Sequence, residues 1–271
     1  MMRVKKKKIP EVTVLMAINK IDEFTEPAIK SILSQSLKDF FFYIVCNGNN
    51  AVYLSKWIKN NFKDHRIRLF TTSISSLTFA LNYGLSNTKT KYIARMDSDD
   101  ISLSQRLYKQ VKYLKNNSKV GVLGCKVFLI NEFGHRMKDS FLTFYTHQQI
   151  VRWLPIFNSM CHPAVMFRKE CLECVGGYKS DLHSEDHELF IRISRESKWE
   201  FTNLNQNLFY YRRHTNQKTN GKRLKIFSEI CSFLIMHFIR SGNLLFLLGI
   251  LWVFPPVVLI KRLIRKLINL F

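Results

Sequence analysis

The chain has 271 residues, 46% hydrophobic and 23% charged, which excludes a disordered chain and suits one α/β domain with an appendage or two small domains. Its 42 Lys and Arg against 20 Asp and Glu leave a formal net charge of +22, which calls for a polyanionic partner: nucleic acid, an anionic lipid surface or phosphorylated substrates. The six cysteines, at 46, 125, 161, 171, 174 and 231, lack the dense regular spacing of a disulfide scaffold.

Residues 1–8, "MMRVKKKK", open a basic tail. The "IPEVTVLMA" that follows is too short and strand-like for the apolar stretch of a secretory signal, so a reducing cytosolic setting is the expectation. From Val12 onward, short apolar runs alternate with helix-length amphipathic segments. "VTVLMA" predicts a buried strand, "EPAIKSILSQS" a helix with Pro27 in its first turn, and "FFFYIVCNG" a strand ending in a glycine turn. A helix "AVYLSKWIKNNF", a strand "RIRLF", a helix through "LTFALNYGLSN" and a strand "KYIARM" follow, then a helix "SQRLYKQVKYLKNN" and a strand "VGVLGCKVFLI". Such alternation predicts a mostly parallel sheet covered by helices on both faces, with ligands outside the carboxyl ends of its strands. Residues 131–160 predict a loop-rich connection, and "HSEDHELFIRIS" a helix starting near Ser184. Cys171 and Cys174 form an isolated CxxC, read as packing thiols with zinc as the alternative. From Leu244 to Ile260 seventeen residues carry no charge, and "KRLIRKLINLF" then adds four cations. Pro255 and Pro256 would break a spanning helix, so a helical hairpin or in-plane amphipathic anchor is preferred to a span. The expected divisions are a basic tail at 1–10, an α/β domain at 11–220 and a helical, membrane-associating segment at 221–271.

Asp97, Asp99 and Asp100 follow the strand "YIARM" at once. Three acids so close repel one another without a cation between them. Oxygen-only ligands suit Mg²⁺ or Mn²⁺ shared with a substrate diphosphate; the alternative is a solvated acidic turn in which Asp100 or Ser102 caps the next helix. "KYIARMDSDDISLSQRLYKQ" resembles the DxD segment of family-2 glycosyltransferases, an inverting group with a GT-A fold that uses nucleotide-diphosphate sugars. The resemblance continues in "LTFALNYGLSNTKTKYIARM" and "CHPAVMFRKECLECVGGYKSDLHSEDHELFIRIS", and extends from about Val12 to His214.

The resemblance implies a Rossmann-like GT-A domain with Mn²⁺ or Mg²⁺ as cofactor. It makes Asp99 the metal ligand, with Asp97 on the metal or the nucleotide ribose and His214 nearby. Donor contacts fall to Ala17, Asn19, Asn47, Arg95, Asp97 and Arg213. Of the pair Glu185 and Asp186, the second is the implied catalytic base, and His162, in a His-Pro pair, lies on the acceptor side. Asp100 is expected to orient its loop or cap the next helix. Two departures bear on the nucleotide: Ile18 and Cys46 stand where family members usually carry an aromatic and an Asp that hold the base. Asn19, Asn47 or Asp22 are the substitutes.

Inverting transfer needs a base on the acceptor hydroxyl and charge relief on the leaving diphosphate. Asp186 near a helix start would be held as a weak base, so a counteracting neighbour is expected, Glu185 being the nearest. A zinc site between His183 and His187 is a lesser alternative. The partners implied are a nucleotide-diphosphate sugar, a glycan or polyprenyl-linked acceptor and an anionic membrane surface, at the cytoplasmic face of the cell membrane. A nucleic-acid-binding protein would also explain the charge, but no recognised motif is present and none is expected to bind. A non-catalytic relative is kept open by Ile18 and Cys46.

Overall fold

The computed structural model describes residues 9–138, 141–179, 184–214, 223–254 and 256. Four strands, β1 (Val12–Ile18), β2 (Phe41–Asn47), β3 (Ile67–Thr72) and β4 (Tyr92–Met96), alternate with α1 (Thr25–Leu33), α2 (Ala51–Asn61) and α3 (Leu77–Ser86), as the periodicity predicts. They pair in parallel, in the spatial order β3-β2-β1-β4. Every residue of β1 is buried, the mark of a strand covered on both faces. Strand alternation then splits the apolar side chains into two cores. Met16, Ile18, Ile44 and Cys46 pack under α1, α2 and α4 (Arg106–Asn116). Leu15, Ala17, Tyr43 and Val45 face α3 and the later helices.

Beyond β4 the sheet turns mixed. β7 (Met166–Arg168) is antiparallel to both β4 and β6 (Val120–Ile130), β8 (Glu200–Arg212) runs parallel to β6, and the two-residue β5 (Ile101–Ser102) closes the far edge against β8. β7 is three residues long and β8 is rich in Asn, so neither carries a readable apolar period. The stretch expected to be loop-rich contains a helix, α5 (His147–Trp153). It is seven residues long, too short for periodicity, and is started by a capping box between Thr146 and Gln149.

α6 (Lys169–Cys174) leads to α7 (Glu185–Ser194), which starts just after Ser184, as predicted. α8 (Arg223–Ser241) ends at Gly242, whose φ of +67° allows its N–H to reach Phe238 O at 2.8 Å and stop the helix. The chain turns into α9 (Leu245–Val253), which uses the first half of the uncharged stretch. No helix of the described residues is long and apolar enough to cross a membrane. The remainder of that stretch, apart from residues 254 and 256, and the basic run after it lie outside the described residues.

Candidate active site

The carboxyl end of β4 delivers Asp97, Asp99 and Asp100, and buried polar side chains fix it there. Arg106, wholly buried over the Phe209 ring, donates from Nη2 to Arg95 O at 2.7 Å, and burial lowers its pKa to about 10. Gln110 Nε2 ties Leu123 O and Ala164 O at 3.1 and 2.9 Å. One carboxylate oxygen from each of the three acids falls within 4.8 Å of the others. Asp97 and Asp99 stay reachable, with side chains 34% and 27% exposed, whereas Asp100 is fully buried.

Asp100 does not cap α4. That helix begins at Gln105 without any side-chain cap, and Ser102 belongs to β5. Asp100 Oδ1 instead accepts the backbone N–H of Arg212 at 2.7 Å, pinning the end of β8 to the loop. Its Oδ2 is buried without a hydrogen-bond partner. Burial, then the charges of Asp99 and Asp97, push the Asp100 carboxyl well above its ordinary range; burial and Asp97 also raise Asp99, against the pull of His214. Three oxygen donors with one orphaned buried oxygen make an environment that suits a hard divalent cation.

The end of β8 completes this lip. Arg212 donates from Nε to Asp99 O at 2.8 Å and from Nη1 to Asn131 O and Glu132 O, both at 3.1 Å, while stacking over Phe24. His214 Nε2 donates to Asp99 Oδ2 at 3.0 Å, so it orients that acid rather than joining the three-carboxylate group. Arg213 beside them is exposed.

The second acidic group sits at the start of α7. Glu185 is buried and Asp186 half-buried; Asn158 Nδ2 donates to Asp186 Oδ2 at 3.0 Å. Burial raises the Asp186 pKa above the ordinary carboxylate value, outweighing His187, backbone donors and Asn158. The counterweight to the helix start is therefore mainly desolvation. His187 spends Nε2 on Leu154 O at 2.6 Å, and His183, the other residue of the zinc alternative, lies outside the described residues. Cys171 is buried, and the exposed Cys174 donates from Sγ to Cys171 O at 3.1 Å; both thiols are free.

Arg95 joins the two groups. It is 1% exposed, donating to Met96 O and forming an ion pair with Asp97, so it reaches any donor through Asp97. Burial works against its charge, but Asp97, Tyr178 and Glu185 outweigh burial and raise its pKa. Tyr178 and His162, both buried, share a hydrogen bond of 2.7 Å between Oη and Nε2. Burial, then Arg95, hold His162 well below its ordinary pKa, keeping it neutral. Asn82 on α3 clamps the Tyr178 backbone from both sides, at 2.6 and 2.9 Å. Tyr178, Asn158 and Asn82 carry no local sequence pattern that marks them, because each acts through a partner distant in the chain.

The structure corrects the reading of Ile18 and Cys46. Their side chains are 2% and 0% exposed in the first core, and burial pushes the Cys46 thiol up to about 12. Neither faces a pocket. At the carboxyl ends of β1 and β2 stand the exposed Asn19 and the buried Asn47, whose Nδ2 donates to Ile18 O at 2.9 Å. Asp22 is paired with Lys20 at 2.8 Å and accepts from Phe24 N and Thr25 Oγ1. Ala17 is buried beneath the second face.

Comparison with known proteins adds a family. The model of "Glycosyl transferase family 2" matches residues 13–176. The "O-antigen biosynthesis glycosyltransferase WbnJ" of Escherichia coli is 34% identical over 247 residues, covering 90% of this chain and 94% of its own. The Escherichia coli "UDP-Gal:alpha-D-GlcNAc-diphosphoundecaprenol beta-1,3-galactosyltransferase" is 28% identical over 186 residues, 68% of this chain and 67% of its own. Among solved structures, S. aureus TarS with UDP-GlcNAc superposes with a TM-score of 0.65 at 12% identity, over 84% of this chain and 66% of that one. The mannosyltransferase PcManGT of Pyrobaculum calidifontis, with GDP-Man and Mn²⁺, gives 0.60 at 16% identity, over 86% and 65%.

Proposed function

The chain belongs to glycosyltransferase family 2, and from that membership we propose that it moves a sugar, with inversion, from a nucleotide-diphosphate sugar to a hydroxyl of a glycan or polyprenyl-linked acceptor. The setting we infer is cell-surface polysaccharide assembly at the cytoplasmic face of the membrane, in keeping with relatives named for O-antigen synthesis and for a diphosphoundecaprenol-linked acceptor. The observation that carries this reading is that the buried Arg95, ion-paired with Asp97, also feels the charge of Glu185, so two carboxylate groups with different surroundings act on one cation.

Asp99 and Asp97 would hold a divalent cation, Mn²⁺ or Mg²⁺, which when bound supplies Lewis-acid charge relief to the leaving diphosphate. Arg95 pairs with Asp97, and Arg212 and His214 anchor Asp99 through its backbone carbonyl and its Oδ2. Arg213, Asn19 and Asn47 line the donor side in this reading. Asp186 takes the proton from the acceptor hydroxyl as that oxygen attacks the anomeric carbon. Its burial makes it a stronger base than a free carboxylate, and Asn158 fixes its orientation. Neutral His162, bonded to Tyr178, lies on the acceptor side in this reading.

Incubation with a panel of UDP- and GDP-sugars, Mn²⁺ and membrane lipids tests this. The wild type should transfer or hydrolyse at least one donor, Asp99→Ala should be inactive, and Asp186→Asn should lose about 10²–10⁴-fold in kcat. No turnover by the wild type, or turnover unchanged in both variants, would overturn the reading.

A further inference from the structure

α9 carries no polar side chain on any face. Its inner side, Phe246 and Gly249, is buried, while Leu244, Leu247, Leu248, Leu251 and Trp252 around it are 36% to 66% exposed. A helix that is apolar all round belongs in a core or in lipid. This one is half in each. At nine residues it is about 14 Å long, well short of a bilayer's hydrocarbon thickness, so lipid can receive it only in the interface plane. α8 extends the surface with Leu224 and Ile239, each 75% exposed.

The charge around this face selects the occupant. α8 carries Lys225, paired at 4.0 Å with Glu229, its sole acid, and Arg240 in its last turn, and Arg195 lies against the same helix through its bond to His237 O. Lys261, Arg262, Arg265 and Lys266 follow in the sequence. Two copies meeting through this face would bring Lys225, Arg240 and Arg195 of each together, whereas an anionic bilayer neutralises them.

The underside of α9 rests on the segment that holds the candidate base. A Cβ at Gly249 would overlap Pro155 O, and the Trp252 ring lies 6.3 Å from Phe157. The same segment accepts the His187 bond at Leu154 O and supplies Asn158 to Asp186. Trp153, 39% exposed, immediately precedes it.

We propose that α9 lies in the plane of an anionic bilayer with its outer face sunk into one leaflet, and that this docking seats segment 154–158 at the lipid surface, where a lipid-linked acceptor presents its hydroxyl. The identity of the acceptor rests on the proposed function; the docking does not. The full chain should float with phosphatidylglycerol-containing vesicles, less so in high salt. The triple variant Leu247→Glu, Leu248→Glu, Leu251→Glu should lose about tenfold or more of that partition while melting like the wild type, because these positions lie outside the core. Brominated lipid should quench tryptophan fluorescence in two portions, one removed by Trp252→Phe and a smaller one by Trp153→Phe, while Trp57 and the buried Trp199 stay bright. Several outcomes would overturn the proposal: flotation with no vesicle, flotation retained by the triple variant, quenching indifferent to Trp252 and Trp153, or a wild-type dimer that the triple variant dissociates without vesicle binding. None of these readouts uses a sugar donor, so failure of the docking leaves the transferase reading standing.

Discussion

Asp100 is held where water cannot reach it, beside two other carboxylates. The folded chain therefore keeps a proton on it at pH values where the unfolded chain, titrating near 3.8, has released its own. Without a cation, folding stability should fall as pH rises from about 4 through the raised pKa values of Asp100 and Asp99. Asp100→Asn keeps an oxygen for the Arg212 N–H and gives the orphaned position an amide that can donate to its acidic neighbours. Urea unfolding in chelator across that range should show the slope in the wild type, a shallower one in Asp100→Asn, and a reduced one with Mn²⁺ added. A pH-independent wild type would contradict the buried, repelling arrangement. The three acids were plain in the sequence, but the division of labour among them was not, because it depends on β8 arriving from more than a hundred residues away.

The helices and strands that position the site are packed with little slack. Gly84 on α3 lies so close to β1 that a Cβ there would overlap Leu15 Cδ1, and Leu15 is itself 2% exposed. Gly84→Val should destabilise the protein by about 1–3 kcal/mol through overpacking, read as a shifted urea midpoint. Leu15→Ala in the same chain should return part of that loss, the two positions being in contact. The elements legible in advance were those with a full apolar period, β1 to β4, α1 to α4 and β6. β5, β7 and α5 are too short to show one. In β8 the apolar positions are interrupted by Asn203, whose Nδ2 donates to Phe144 O at 2.7 Å, a role invisible without the tertiary fold.

At the scale of the molecule, composition divides the chain near 221, where the basic and apolar C-terminal segment begins. The core does not divide there. Ile230, Phe233 and Leu234 of α8 and Phe246 of α9 are buried in the same cluster as Leu189, Phe190 and Ile193 of α7. A chain ending at Gly221 should therefore expose the back of the helix that begins with Glu185 and Asp186. A lower, broader melting transition and binding of a hydrophobic dye are the expected signs. A truncated chain that melts like the full one would show that α8 is an appendage. Net charge behaves differently: the +22 is spread along the whole chain and constrains partners without constraining the fold.

The parallel half of the sheet, the family and the two acidic motifs followed from the sequence itself. Strand and helix periods are local, and a run such as "ARMDSDDIS" carries its chemistry in adjacent residues. Only the tertiary structure decided that Ile18 and Cys46 belong to the core, that Asp100 pins β8, and that the buried Arg95 feels the charge of both Asp97 and Glu185. Burial and long-range hydrogen bonding depend on what another part of the chain brings to a side chain, which no local pattern records. The apolar stretch at the C-terminus shows both limits at once. Its hydrophobicity is written in the residues, but which half faces Pro155 and which faces outward is settled by the packing of α9.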